Sequence, residues 1–456
     1  MVFSSLVFIF RFLPIFIVIY FLTPKKYKNF ILLLFSLIFY TLGEPIYFPL
    51  MIASIIVDYC IAIAIENNIN NRIKCKIFLM ISIFFNMGIL FFFKYFNFFI
   101  DNINLILSTS IKNIQLSLPL GISFYTFQTL SYSIDVFKGK IKAERNIIDF
   151  GAFVSSFPQL IAGPIVKYTD INKDIKNRTI SLDNFEAGLE EFIIGLGKKV
   201  LIANNIGMLW NEVSSKNISD ISMPLAWMGI LAFSFQIYFD FSGYSSMAIG
   251  LGKIIGLNFP INFNFPYISR SISEFWRRWH ITLGSWLKEY IYIPLGGNRV
   301  NKKRLFINLA ILWFLTGFWH GAEYTFILWG LYFLLLIYIE KKFLYKFLDK
   351  NNFFAYIYTI FFLLIGWTIF SIDEISLLGT YLSRMFSFSF SLDWIYYFNN
   401  YILVFIICLI CSTPLILRIY MKMNKAIKST VIIIIFVLSI AYLVDSTYNP
   451  FLYFRF

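Results

Sequence analysis

Residues 271–322 read SISEFWRRWHITLGSWLKEYIYIPLGGNRVNKKRLFINLAILWFLTGFWHGA. Both histidines of the 456-residue chain lie in this stretch: His280 behind two arginines and two tryptophans, and His320 inside an apolar run. Basic clusters stand before that run, at Lys302-Lys303-Arg304, and after it, at Lys341-Lys342. Because basic loops stay on the cytosolic side of a membrane, the run is expected to enter and return on one side, with His320 at or near the turn. A titratable side chain at membrane depth is expensive, so His320 is a functional candidate from the outset.

The rest of the chain has the composition that such a hairpin needs. Hydrophobic residues make up 59% and charged residues 14%, against about 25% charged in an ordinary soluble domain. Many windows exceed the roughly 18 apolar residues that cross a bilayer. In hydrocarbon every backbone polar group must find a partner within the protein, which selects helices over an open sheet. The sequence therefore predicts an all-α polytopic membrane protein, with about ten to twelve transmembrane helices plus re-entrant and interfacial helices. No linker, repeat or low-complexity segment marks a second domain, so residues 1–456 are expected to form a single integral-membrane domain.

The net charge of +14 would suit nucleic acid if it were clustered. It lies instead in short loops between apolar runs, which excludes nucleic acid and points to membrane lipid. Cys60, Cys75, Cys408 and Cys411 have no metal or redox spacing, and no disulfide or metal site is predicted. The opening run MVFSSLVFIFRFLPIFIVIYF lacks a basic n-region and a small-residue cleavage site, and reads as a retained first helix. The basic loops put both chain ends on the outer face.

Several polar residues interrupt the apolar runs. Asp58 is an intramembrane carboxylate, read equally well as a hydrogen-bonded packing contact or as a functional group. Pro119 to Ile134 carries Ser123, Tyr125, Thr126 and Gln128, too polar a set for a lipid-facing helix. Ile147 to Val166 holds two prolines and is flanked by basic residues, which fits a re-entrant segment better than a span. Lys198 and Lys199 read as a pair that snorkels to the interface or lines a cytosol-facing basic mouth. Gln236, Asp240 and Tyr244 fall four apart and form an inward polar seam, structural or substrate-lining.

In the histidine region, Ile272 to Tyr290 reads as one helix. Trp276, Trp279, Leu283, Trp286 and Tyr290 form an aromatic stripe suited to the membrane interface. Arg277, His280, Gly284 and Lys288 share another face, where neighbouring cations would keep the imidazole neutral. The turn at Gly296-Gly297 stands next to cations and could cradle phosphate, a weak signal by itself. Near His320, Thr316, Gly317 and Gly321 leave room for a substrate beside the ring, or serve close helix packing. Desolvation at that depth disfavours the charged ring and leaves a neutral base. Such a base suits taking the proton from a hydroxyl that attacks an activated acyl group.

At these residues the chain resembles the membrane-bound O-acyltransferase family, and within it the branch of the alginate O-acetyltransferase membrane subunit. The resemblance rests on FYTLGEPIYF near residue 45, GISFYTFQTLSYSIDVFKG from Gly121, FPQLIAGPI from Phe157 and DFSGYSSMAIGLG from Asp240. Its most specific blocks are NFNFPYISRSISEFWRRWHITLGSWLKEYIYIPLGGNR, the FWHGA around His320 and the closing FLYFRF. The resemblance implies that His320 is the catalytic histidine, with His280 a second active-site position. It implies a ring of helices around a central funnel, in a bacterial cell membrane. Acetyl-CoA is the implied cytosolic donor, with no permanently bound cofactor. The implied partners are an extracytoplasmic SGNH-type acetyltransferase and a polysaccharide or cell-wall acceptor such as alginate, cellulose or peptidoglycan. A cousin moves D-alanine from a carrier protein to teichoic acid.

We take His320 and His280 as candidate catalytic residues. The candidate substrate-binding residues are Asp240, Tyr244, Gln128, Arg277, Arg278 and Trp319. Two other readings stay open on the sequence: a transporter or flippase of an acylated precursor, which would use intramembrane acids and broken helices without chemistry, and a scaffold for a polysaccharide machine.

Overall fold

The computed structural model describes residues 2–114, 117–161 and 163–445, and among these every regular element is helical. The closing FLYFRF block lies outside the described residues. In chain order the main helices begin with α1 (Phe8–Leu22), α2 (Lys28–Gly43), α3 (Phe48–Asn67), α4 (Arg72–Leu107) and α5 (Ile122–Phe137). The short α6 (Ile147–Ser155), α7 (Phe157–Leu160) and α8 (Tyr168–Lys176) follow, then the long α9 (Leu182–Ser214) and α10 (Met223–Ile254). Two short helices come next, α11 (Ile272–Arg278) and α12 (Ile281–Leu287). The chain continues through α13 (Lys302–His320), α14 (Tyr324–Ile339), α15 (Asn352–Ser371), α16 (Ile375–Phe386), α17 (Asp393–Cys411) and α18 (Lys425–Asp445). Among the described residues seven helices are both long and apolar enough to cross a membrane: α3, α4, α9, α10, α15, α17 and α18.

The chain forms two compact units, one of residues 1–192 and 245–260, the other of residues 193–244 and 261–456. The first is built around Phe157, whose ring centroid lies 4.9–5.6 Å from those of Phe12, Phe16 and Phe39. The Phe157 backbone N–H donates to Ser36 Oγ at 3.1 Å, which ties α7 to α2. The chain turns sharply at Ser156, between α6 and α7. With nine and four residues at about 1.5 Å per residue, neither helix crosses a bilayer, as the two prolines led us to expect.

Asp58 of α3 is fully buried and accepts three hydrogen bonds, from Ser82 Oγ (2.5 Å), Asn86 Nδ2 (2.8 Å) and Ser133 Oγ (3.1 Å). These donors come from α4 and α5, so the carboxylate knits three helices together. Burying such a group without partners would be costly, and the donor set offsets part of that cost. Helix α5, the polar segment of the sequence, is buried along nearly its whole length.

In the second unit α13 and α14 form the expected hairpin. His320 is the last residue of α13, and the chain turns through Gly321 to Glu323. The two backbones meet at glycines: a Cβ on Gly330 would sit 2.4 Å from the Trp313 carbonyl oxygen, and one on Gly317 would sit 2.3 Å from that of Phe326. Backbone oxygens cannot swing aside, so only glycine permits this approach. Gly330→Ala is therefore expected to lower both the thermal midpoint and the activity, because the helices must part and carry His320 with them. Gly379→Ala in α16, where an added Cβ meets nothing within 4 Å, serves as the control in the same melts and should hold or raise the midpoint, since alanine favours a helix interior.

Candidate active site

The helix read from Ile272 to Tyr290 is interrupted at the first histidine. Trp279 is extended and His280 takes a left-handed conformation, φ 44° and ψ 53°, between α11 and α12. A non-glycine residue held there carries about 1–3 kcal/mol of strain. The offset comes from a segment distant in sequence. Asn264 N–H donates to the Arg278 carbonyl (2.9 Å) and Ile281 N–H donates to the Asn262 carbonyl (2.9 Å), so residues 262–264 grip the chain on both sides of His280.

This break overturns two expectations. His280 does not sit on a helical face with Arg277, Gly284 and Lys288; its ring packs edge-on to Phe241 at 4.7 Å and is 97% buried. It is neutral for a different reason from the one expected, since burial pushes it down to about 3. Nor is the aromatic stripe interfacial. Trp279, Leu283, Trp286 and Tyr290 are buried, and Trp276 meets Trp313, Trp329 and Phe333 edge-to-face at 4.9–5.3 Å.

His320 is 7% exposed and lies among aromatic rings. Trp329 and Phe370 present near-perpendicular rings at 5.1 Å each, and Trp319 lies at 4.9 Å. Trp319 is also 6.1 Å from the His280 ring, so one tryptophan is neighbour to both imidazoles. The room expected beside the glycines is filled by protein. A Cβ on Gly321 would meet the Phe326 ring at 2.2 Å, and Gly317 packs against the Phe326 backbone and Gly330.

The other candidates fall in different settings. Arg278 is engaged by Glu274 (2.9 Å) and donates to the Asn264 carbonyl (3.1 Å), contacts that brace the turn. Arg277 is exposed; partial desolvation first, and then its charge, push the Lys341 ammonium down. Asp240 and Tyr244 are buried, and Asp240 pairs at 2.7 Å with Lys199 Nζ, which also donates to Asn204 Oδ1 at 2.8 Å. Lys199 is thus neither snorkelling nor part of a basic mouth: at 1% exposure it is an internal counter-ion. Gln128 belongs to the other unit, buried on α5.

The Gly296-Gly297 turn is closed on itself. The N–H groups of Gly296, Gly297 and Arg299 donate to the carbonyls of Ile293, Tyr292 and Gly296, and Asn308 Nδ2 reaches the Leu295 and Gly297 carbonyls. Those amides are directed inward, and the turn is no phosphate cradle.

Two positioning residues escaped the sequence reading. Glu340, just past α14, accepts from Ile272 N–H (2.6 Å), Ser273 N–H (2.9 Å) and Ser273 Oγ (2.7 Å), and so fixes the start of the α11 that leads to His280. A lone acid closing the apolar run 324–339 was its only signal. Asn262 places its Oδ1 3.1 Å from His280 Nδ1. The NFNFPY block containing it stood out, but no spacing linked it to a histidine 18 residues on.

Membrane-length helices and two buried imidazoles beside one tryptophan describe an integral-membrane protein with a polar site inside it. The model of the membrane-bound O-acyltransferase family, MBOAT, matches residues 138–378, a span that holds both histidines, Asn262 and Glu340, and the chain belongs to this family. It is 40% identical to "Probable alginate O-acetylase AlgI" of Azotobacter vinelandii over 86% of this chain and 79% of that one. It is also 40% identical to "Peptidoglycan O-acetyltransferase" of Helicobacter pylori, over 73% and 68%. "Teichoic acid D-alanyltransferase" of Streptococcus thermophilus matches at 31% over 47% of this chain and 54% of its own. The protein is a membrane-bound O-acyltransferase of the O-acetylation kind.

Proposed function

We propose that the chain moves an acetyl group from cytosolic acetyl-CoA across a bacterial inner membrane to an extracytoplasmic acceptor, with His320 as general base. The observation that carries this reading is the place of His320: at the turn of a close-packed hairpin, walled by aromatic rings, with His280 across Trp319. An acceptor hydroxyl gives its proton to the neutral imidazole as its oxygen attacks the thioester carbonyl. The tetrahedral intermediate then collapses, the carbon–sulfur bond breaks, and the imidazolium returns the proton to the leaving thiolate. The products are an acetyl ester and free CoA.

Two features support the donor and the acceptor. The neighbouring cations Arg277 and Lys341 suit the phosphates of a CoA donor. The names of the relatives at 40% identity, an alginate O-acetylase and a peptidoglycan O-acetyltransferase, favour a polysaccharide or cell-wall acceptor, reached directly or through an extracytoplasmic SGNH-type partner.

The test uses purified protein in sealed vesicles, with labelled acetyl-CoA outside and an oligosaccharide acceptor inside. Labelled ester inside and an equal yield of free CoA outside are expected. D-alanyl transfer from a carrier protein, with no use of acetyl-CoA, would replace this reading; movement of an intact acylated precursor without CoA release would make the protein a transporter.

A further inference from the structure

We infer that Asn262 is a positioning residue that holds His280 as the Nδ1–H tautomer, so that Nε2 carries the lone pair offered to the reacting group. The inference deepens the proposed function and rests on it for the statement that His280 faces the reaction.

The argument begins with the amide of Asn262, whose oxygen and nitrogen must be told apart by their neighbours. Thr282 supplies the answer. Its backbone N–H points at Asn262 Oδ1 from 3.3 Å, and its Oγ1 hydroxyl donates to the same atom at 2.9 Å. A backbone N–H can only donate, so the atom facing it is the carbonyl oxygen; the reverse orientation would set two donors against each other in a buried site. An amide oxygen can only accept. The contact of 3.1 Å between this oxygen and His280 Nδ1 therefore requires a proton on Nδ1. In a neutral ring that leaves Nε2 as the acceptor.

The surroundings make the assignment rigid. His280 and Asn262 are both buried, and the chain is fixed on either side of the ring by Ile281 N–H to the Asn262 carbonyl and Asn264 N–H to the Arg278 carbonyl. The left-handed backbone at His280 directs its side chain where a continuous helix from Ile272 to Tyr290 would not. One asparagine thus fixes the position, the ring orientation and the protonation site of the second histidine. In metal sites and in hydrolases the same task falls to the carbonyl or carboxylate behind a working histidine.

A chain with two histidines permits a direct test. Full-length protein labelled with 15N at the histidine rings gives two sets of ring signals, and the His320→Gln variant assigns them. For His280 the expected spectrum has a protonated Nδ1 and an unprotonated Nε2. In Asn262→Leu the signals should move toward the Nε2–H form, and kcat for acyl transfer should fall about 10- to 100-fold, the usual effect of losing a partner that orients a histidine, with KM nearly unchanged. Asn262→Asp keeps the acceptor and should keep the proton on Nδ1. Adding Asn262→Leu to His280→Gln should slow the enzyme no further.

An unprotonated Nδ1 in the wild-type spectrum would overturn the inference. So would a slow Asn262→Leu enzyme whose His280 signals are those of the wild type, the mark of a merely structural asparagine. Should Asn262→Leu fail to fold, the wild-type spectrum decides alone. That spectrum is independent of acyl transfer, so loss of the proposed function and loss of this assignment are separate results.

Discussion

Replacing His320 with glutamine is expected to lower acyl transfer by about 10²–10⁴-fold while leaving the amount of folded protein unchanged. The size is that of a general base removed from a reaction whose nucleophile is a hydroxyl. Glutamine can hydrogen-bond to that hydroxyl but cannot take its proton, so binding survives and the chemical step does not. The substitution nearly keeps side-chain length in a site walled by Trp319, Trp329 and Phe370. His320→Ala would add a cavity to the loss of the base, with a penalty of a few kcal/mol that confuses the reading. Single-turnover transfer of labelled acetyl, with the thermal midpoint recorded on the same sample, separates the two. Full transfer by a folded His320→Gln protein would remove the base from the mechanism and revive the scaffold and flippase readings.

The class of fold was legible because hydropathy is a local property. Apolar runs with basic ends are visible in any window, and so were the hairpin that ends at His320 and the two prolines that break the run after Ile147. The site was legible only where its signal was equally local. His280 and His320 were singled out by rarity and by their setting, and the structure makes them neighbours of one tryptophan. What failed was helical periodicity across 272–290. Its pattern was regular, yet backbone bonds from Asn262 and Asn264 overrode it, as tertiary contacts override propensity. Lys199 was misplaced for a related reason. Beside Lys198 it looked like one of a surface pair, and nothing nearby revealed a counter-ion 41 positions on. Glu340 and Asn262 act at a distance in sequence, where a single chain gives no register.

The Lys199–Asp240 pair is expected to give the sharpest stability effect. Both side chains are almost wholly buried, and the ammonium bridges the carboxylate and Asn204 Oδ1 at 2.7 and 2.8 Å. Removing either partner alone, as Lys199→Met or Asp240→Leu, takes from a buried charge its opposite charge and should cost about 3–5 kcal/mol. Removing both should restore most of it, since a buried ion pair replaced by apolar side chains of similar volume is often neutral or better. The cycle of four proteins, read by thermal melts in one detergent, gives a coupling energy that neither single variant can. It also settles what the polar seam of α10 is for. Gln236 packs on Gly207, where an added Cβ would lie 2.4 Å from Nε2, and Gly243 lies against the Gly195 carbonyl. These contacts are those of a helix seam closed by protein, so the double variant should transfer acetyl at close to the wild-type rate. A double variant that melts normally but transfers nothing would show instead that Asp240 works on the substrate, and that its lysine holds it ready to do so.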